Sequence, residues 1–180
     1  MKRITLSAKD RALLYRALML GAAVWVLGLL QTSFLPHFAL FGAVPDLILA
    51  LVLVTARETD EKFGGTVGLL AGILAFMLGD VGAALWILFY AALGFLAGVL
   101  ARCVLGKNYP SYLVFAAAAC LLKMTYSLLL CALLSADAQP LRALLESFLP
   151  EAILTFAAAA LLYVPLRAFV RRTKRKEASV

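Results

Sequence analysis

The sequence predicts an all-α membrane protein, a polytopic bundle of about six transmembrane helices that forms one domain over residues 1–180. Two observations lead to this fold class. Some 64% of the residues are hydrophobic and 15% are charged, whereas a soluble domain is about half apolar and about a quarter charged. The basic residues also concentrate towards the two ends of the chain, as expected of segments that flank a membrane bundle on its cytoplasmic side.

The first apolar segment, roughly residues 17–30, follows a basic tail over residues 1–16. With Leu13 and Leu14 it is long enough to span a membrane. No cleavage site of small residues follows it closely, which favours a retained anchor over a signal peptide. Residues 31–44 contain no Lys or Arg, and we expect them to form an interfacial loop.

The second segment begins with Pro45 and Asp46. This is a favourable helix start, because proline lacks the N–H that would be unsatisfied and the carboxylate meets the positive end of the helix dipole. The apolar run that follows, residues 47–56, is much shorter than the roughly 20 residues of a full span. It predicts either a short helix with snorkelling ends or a re-entrant element. A mixed-charge turn over residues 57–62 ends it.

Glycine recurs at every fourth position in the third segment (64–79) and again in the fourth (83–104). These glycines are Gly64, Gly68, Gly72, Gly94 and Gly98. Small residues at this spacing line one helix face and let another backbone approach closely. We predict a seam between the two segments, with a docking surface for a partner's helix as the alternative. The connection at Asp80 is short, so the segments should be antiparallel, with Asp80 capping the fourth.

The fifth segment, residues 112–134, follows a predicted helix break at Asn108 and Pro110. It carries Lys123 near its middle. A charged side chain at mid-membrane costs about 2.5–3.5 kcal/mol on insertion scales, so a partner or a function is expected. Pairing with Asp46 or Asp80 is the leading interpretation. The alternatives are a snorkelling or neutral lysine, and a role in transport or partner binding.

The last third of the chain predicts one interfacial helix and one further crossing. Residues 140–149 carry large apolar side chains on one helical face, typical of an amphipathic helix that lies in the membrane interface. The sixth segment repeats the proline-then-acid start at Pro150 and Glu151, and we expect a kink at Pro165. It ends in a basic tail over residues 171–180.

Charge predicts the topology. With six crossings and both termini in the cytoplasm, 15 of the 17 Lys and Arg residues lie on the inner side or at its edge, as the positive-inside rule requires. The two exceptions are Lys123 and Arg142. In this arrangement Asp46, Asp80 and Glu151 all lie near the outer face.

No pattern of catalytic residues is present in the sequence. The three cysteines and the single histidine, His37, are too scattered for a Cys/His pair or a metal site. The glycine-rich stretch at residue 64 lacks the G-K-[ST] ending of a phosphate-binding loop. Nucleic-acid binding would need a basic groove with stacking aromatics, not basic ends. We therefore expect no enzyme activity, no cofactor, no metal and no nucleic-acid partner.

A family resemblance covers roughly residues 25–105. The motifs that carry it are Gln31-Thr32-Ser33, Gly42-x-x-Pro45-Asp46-Leu47, a charged turn, Gly68-x-x-x-Gly72, Gly79-Asp80 and Gly94-x-x-x-Gly98. Together with the chain's size and basic ends, this pattern resembles MreD, the family of rod-shape-determining membrane proteins. The chain's last third agrees with the family only in hydropathy.

The resemblance implies a function and a set of partners. MreD-like proteins are non-enzymatic, multi-pass components of the bacterial cytoplasmic membrane that bind MreC, a bitopic protein with a large external domain. Their complex includes an elongation polymerase, a transpeptidase and, indirectly, the actin-like cytoskeleton. Their fold is similar to that of the substrate-binding subunits of energy-coupling-factor transporters. From the residues alone, Pro45, Asp46, Gly68, Gly72, Asp80, Gly94, Gly98 and Lys123 are the structural or partner-binding candidates.

The alternative function is a vitamin-binding subunit of such a transporter. Ala8 and Ala12 resemble the small-residue coupling motif of those subunits. A transporter subunit also needs a polar pocket near its outer face, and Gln31, Lys123 and Tyr126 could line one together with the carboxylates. A bound vitamin would favour this function over the first.

Overall fold

A computed structural model describes residues 8–39, 42–77, 83–103, 108–134 and 144–178 of the chain. Within these residues lie six α-helices: α1 (Ala8–Leu29), α2 (Leu47–Glu58), α3 (Glu61–Met77), α4 (Ala83–Cys103), α5 (Tyr109–Leu134) and α6 (Leu149–Ala178). Four stretches of the described chain are long and apolar enough to cross a membrane: Leu13–His37, Ala84–Cys103, Tyr109–Leu134 and Leu144–Lys174. The described chain is thus an all-helical, multi-pass membrane bundle.

Helix α2 lies at the centre of the bundle. All 12 of its residues are buried, and it packs against α1, α3, α4 and α6. Its apolar run, residues 47–56, has no polar face, and a helix that is hydrophobic all round belongs inside a protein. The segment is therefore a short helix that its neighbours enclose.

The glycine ladder forms the contact between α3 and α4. A Cβ added to Gly68 would collide with the backbone carbonyl of Tyr90, and one added to Gly72 would collide with the Cα of Ile87. The same close approach to backbone atoms holds at Gly64, Gly94 and Gly98. The ladder therefore serves packing within the bundle, the first of the two interpretations.

Several helix boundaries differ from the predicted ones. The predicted loop after α1 continues as a π-turn, Leu30–Phe34, and a 3₁₀ turn, Leu35–Phe38. The predicted break is confirmed at Asn108, which lies between α4 and α5, whereas Pro110 lies in the first turn of α5, where a proline costs no hydrogen bond. Helix α6 continues through Pro165.

The segment before α6 is described only in part. Leu144–Phe148 form a π-turn that runs directly into α6. Residues 140–143 of the predicted interfacial helix, residues 1–7 of the basic tail, and Asp80 lie outside the described residues, so these predictions stand as they were made.

Substituting a glycine of the seam should destabilise the bundle. Gly68→Ala is expected to lower the free energy of unfolding by about 1–3 kcal/mol, because the new methyl group forces α3 and α4 apart. Unfolding of the protein by denaturant in mixed micelles measures this.

The matched control is Gly65→Ala on the same helix. A Cβ there would lie 3.5 Å from the Cβ of Phe95, an ordinary contact, so this variant should be as stable as the parent or slightly more so. Equal stability of the two variants would contradict the assignment of Gly68 to the seam.

Candidate functional site

The start of α2 is buried, and side chains satisfy each of its free N–H groups. Leu47 donates to Oε1 of Gln31 at 2.9 Å, and Ile48 donates to the same oxygen at 3.4 Å. Leu49 donates to Oδ1 of Asp46, and the N–H of Asp46 donates to Oγ1 of Thr155, each at 2.9 Å. Buried backbone donors need acceptors, and here each acceptor is a side-chain oxygen of the protein.

Asp46 caps α2 and lies at the centre of a charged cluster. Its side chain is fully buried. Its Oδ2 accepts a hydrogen bond from the Tyr90 hydroxyl at 2.5 Å and from Nζ of Lys123 at 2.5 Å. Lys123 also donates to Oε1 of Glu151 at 2.6 Å. We name Asp46, Tyr90, Lys123 and Glu151 the Lys123 cluster.

The Lys123 cluster ties four helices together. It joins the start of α2, the middle of α4 and α5, and the first turn of α6. The side chain of Lys123 is 12% exposed, and its Nζ lies 5.8 Å from the ring centroid of Trp86. A buried ion pair of this kind is not itself strongly stabilising, but removing one partner leaves an uncompensated charge.

A cavity of about 740 Å³ borders the Lys123 cluster. Polar side chains on its wall include Gln31, Tyr90, Lys123, Ser127 and Glu151. Its apolar wall includes Ile48, Trp86, Leu130 and Phe148. A volume of this size, with a few convergent polar groups in an apolar wall, is typical of sites that bind small molecules.

Aromatic side chains join α4 to α5 beside this cavity. The rings of Phe89 and Tyr126 stack with centroids 4.6 Å apart, and Trp86 meets Tyr126 edge-on at 5.3 Å. The Tyr126 hydroxyl donates to the carbonyl oxygen of Leu85 at 2.8 Å. Tyr126 therefore holds the two helices together, although it does not line the cavity.

A second charged cluster surrounds the end of α2. Glu58 is buried, and its two carboxylate oxygens accept hydrogen bonds from Arg167 at 2.8 Å and Arg171 at 2.7 Å. Lys174 donates to the backbone carbonyl of Glu58 at 3.4 Å. We name these four residues the Glu58 cluster. Both ends of α2 are thus anchored to α6 through ionic groups.

The predicted site residues fall into two groups. Asp46 and Lys123 form an ion pair, as the leading interpretation of Lys123 predicted, whereas the glycines lie in the α3–α4 seam.

Pro45 was predicted to be the first helical residue, and this is wrong. It precedes the capping residue, Asp46, and the helix begins at Leu47. Asp46 takes an extended conformation with φ −86° and ψ 93°, which a capping residue needs to accept from Leu49. Asp80, the other proposed partner of Lys123, lies outside the described residues.

Sequence reasoning missed Tyr90 and Thr155, and it predicted only part of the roles of Glu151 and Gln31. Glu151 was assigned to the same face as Asp46 but not to Lys123, because pairing across 28 residues has no local signal. Thr155 was missed because a threonine in an apolar helix ordinarily bonds its own backbone. Gln31 was expected on the wall of a polar pocket and lies there, but its hydrogen bonds to the start of α2 were not predicted.

No group of three His, Cys, Asp or Glu side chains in the described part of the chain could hold a metal ion. Cys103, Cys120 and Cys131 are free thiols. No protein-family model matches the chain, and no curated protein or solved structure matches it.

Loss of Lys123 should destabilise the protein strongly. Lys123→Met is expected to lower the free energy of unfolding by about 3–5 kcal/mol, because it leaves the buried Asp46 carboxylate without its cation. The same unfolding measurement in micelles applies. Adding Asp46→Asn to this variant should recover part of the loss, because it removes the unpaired charge.

The control is Arg102→Met, which removes a cation from an exposed pair with Asp60 and Glu61. The side chain of Arg102 is 61% exposed, so the loss should stay within about 1 kcal/mol. A loss this small for Lys123→Met would refute the central role of the Lys123 cluster.

Proposed function

We propose that this chain is a MreD-like, non-enzymatic component of the cell-wall elongation machinery of a bacterium, and that it binds MreC. The proposal is supported by the positions of the residues that resemble the MreD family. Asp46 caps the central helix, and the glycine ladder, residues 64–98, lies in the most extensive helix contact described. Residues that organise a whole bundle fit a scaffold better than a reaction centre.

The proposed topology has six crossings with both termini in the cytoplasm. Its support is the uneven distribution of charge along the bundle. Near the end of α2 lie Arg16, Arg57, Arg102, Arg167, Arg171 and Lys174, whereas Lys123 is the only described Lys or Arg in contact with the start of α2. An excess of basic residues is typical of the cytoplasmic side. The short helices α2 and α3 would then complete the six crossings.

The similarity proposed to substrate-binding subunits of energy-coupling-factor transporters has a separate support. The cavity borders the start of α2, which faces outward in this topology. A ligand site open to the outer side is what an uptake subunit requires.

Reporter fusions test the topology. An alkaline phosphatase fused after residue 43, before α2, should be active, because that enzyme folds only outside the cytoplasm. Fusions after residue 59, between α2 and α3, and after residue 178 should be inactive. Activity at residue 178 would contradict the six-crossing arrangement.

Depletion and co-purification test the proposed function. Depleting the protein in a rod-shaped bacterium that carries it should make the cells round, because elongation of the lateral wall fails. The tagged protein should co-purify with a single-span protein that has a large external domain, the expected MreC, and indirectly with a polymerase and a transpeptidase. Unchanged cell shape after depletion, together with no such partner, would refute the proposal.

A second candidate function is a vitamin-binding subunit of an energy-coupling-factor transporter, which the 740 Å³ cavity favours. Mass spectrometry of the purified protein would detect a bound vitamin. Finding one, or restored uptake in a transport-deficient strain, would favour this function over the first.

A further inference from the structure

The charges beside the cavity do not balance. Lys123 carries one positive charge, whereas Asp46 and Glu151 carry two negative charges, so the Lys123 cluster has one negative charge in excess. The other described side chains on the cavity wall are uncharged. A cation in the cavity would offset this excess charge.

The excess charge resides on Glu151. Asp46 is fully buried, and Lys123, Tyr90 and the N–H of Leu49 already satisfy its carboxylate. The side chain of Glu151 is 30% exposed and lines the cavity. Its Oε1 binds Lys123, whereas its Oε2 has no hydrogen-bond partner in the described part of the chain.

A second polar group in the cavity also lacks a partner. Ser127 is only 8% exposed and lines the same cavity. Its hydroxyl makes no hydrogen bond to any residue that the structure describes, unlike that of Thr125 on the same helix, which donates to the carbonyl oxygen of Leu122 at 2.9 Å. The hydroxyl is therefore available on the cavity wall, where a ligand could bond to it.

We propose that the cavity binds a molecule with a primary ammonium group, which pairs with Glu151 and donates to the Ser127 hydroxyl. A primary ammonium has three N–H donors, and both of these side chains offer oxygen acceptors. The apolar wall, which includes Ile48, Trp86 and Leu130, fits an apolar remainder of the same molecule. The ammonium group comes from a lipid headgroup of the ethanolamine type or from a free amine.

This inference does not rest on the proposed function, since it concerns binding to the isolated protein. A protein active in wall elongation and a transporter subunit could both hold such a ligand. Failure of the binding experiment would therefore leave the depletion experiment unaffected.

The test is binding to the full-length protein in nanodiscs made only of phosphatidylcholine. Two probes are titrated: a short-chain phosphatidylethanolamine and free phenethylamine. The control for each is its trimethylammonium counterpart, which keeps the charge but has no N–H donor. Thermal stabilisation and calorimetry measure binding.

Preferential binding of either amine over its trimethylammonium counterpart supports the site. Binding of the lipid alone identifies a headgroup as the source, and binding of phenethylamine alone identifies a free amine. Equal binding of the counterparts, or no binding of either amine, would overturn the proposal.

Two variants and one control assign the binding to the cavity. Glu151→Gln should weaken binding of the amine about tenfold or more, because a charge-assisted hydrogen bond is lost. Ser127→Leu should abolish binding by filling the cavity without changing its charge. Glu146→Gln makes the same charge change at an exposed residue and should leave the affinity unchanged. If Glu151→Gln does not fold, Ser127→Leu decides, and parental affinity in that variant would overturn the proposal.

Discussion

The buried carboxylate of Asp46 is the interaction on which the bundle depends. Helix α2 has 12 residues and is about 18 Å long, which is shorter than the roughly 30 Å hydrocarbon layer that it is proposed to cross. Its polar ends must be satisfied by protein. At one end Asp46 accepts from Tyr90, Lys123 and its own helix. At the other end Glu58 accepts from two arginines of α6. Each surrounding helix packs apolar side chains against α2, and several also place a polar side chain beside one end of α2.

This arrangement links stability to the proposed binding site. Lys123 offsets the charge of Asp46, but Glu151 joins the same ammonium group and leaves one negative charge beside the cavity. A purely structural ion pair needs only one carboxylate. In the proposed site, the second carboxylate and the Ser127 hydroxyl would select a hydrogen-bonding cation. Residues that hold the bundle together would then also determine what the cavity binds.

The two sides of α4 are packed in different ways. Close contact of α3 and α4 along the ladder, with backbone meeting backbone at Gly68 and Gly72, stabilises the pair through van der Waals contact, which drives helix association in lipid. The space next to α5 is in contrast bridged by large rings, those of Trp86, Phe89 and Tyr126. One side of α4 is therefore tightly packed, and the other side borders the cavity.

The sequence by itself determined that the protein lies in a membrane and where most of its helices lie. Apolar runs and basic ends identify a membrane bundle, and the spacing of glycine identifies the seam. A lysine inside an apolar helix predicts a partner carboxylate, because an unpaired charge at mid-membrane is costly. Only the tertiary structure decided which carboxylates pair with Lys123. Asp46 and Glu151 lie 77 and 28 residues from Lys123, and neither separation has a local pattern. The same holds for Gln31 and Thr155, which accept hydrogen bonds from the start of α2 only once the helices have packed together. A side chain that bonds to the backbone of another helix leaves no pattern in the sequence of its own helix.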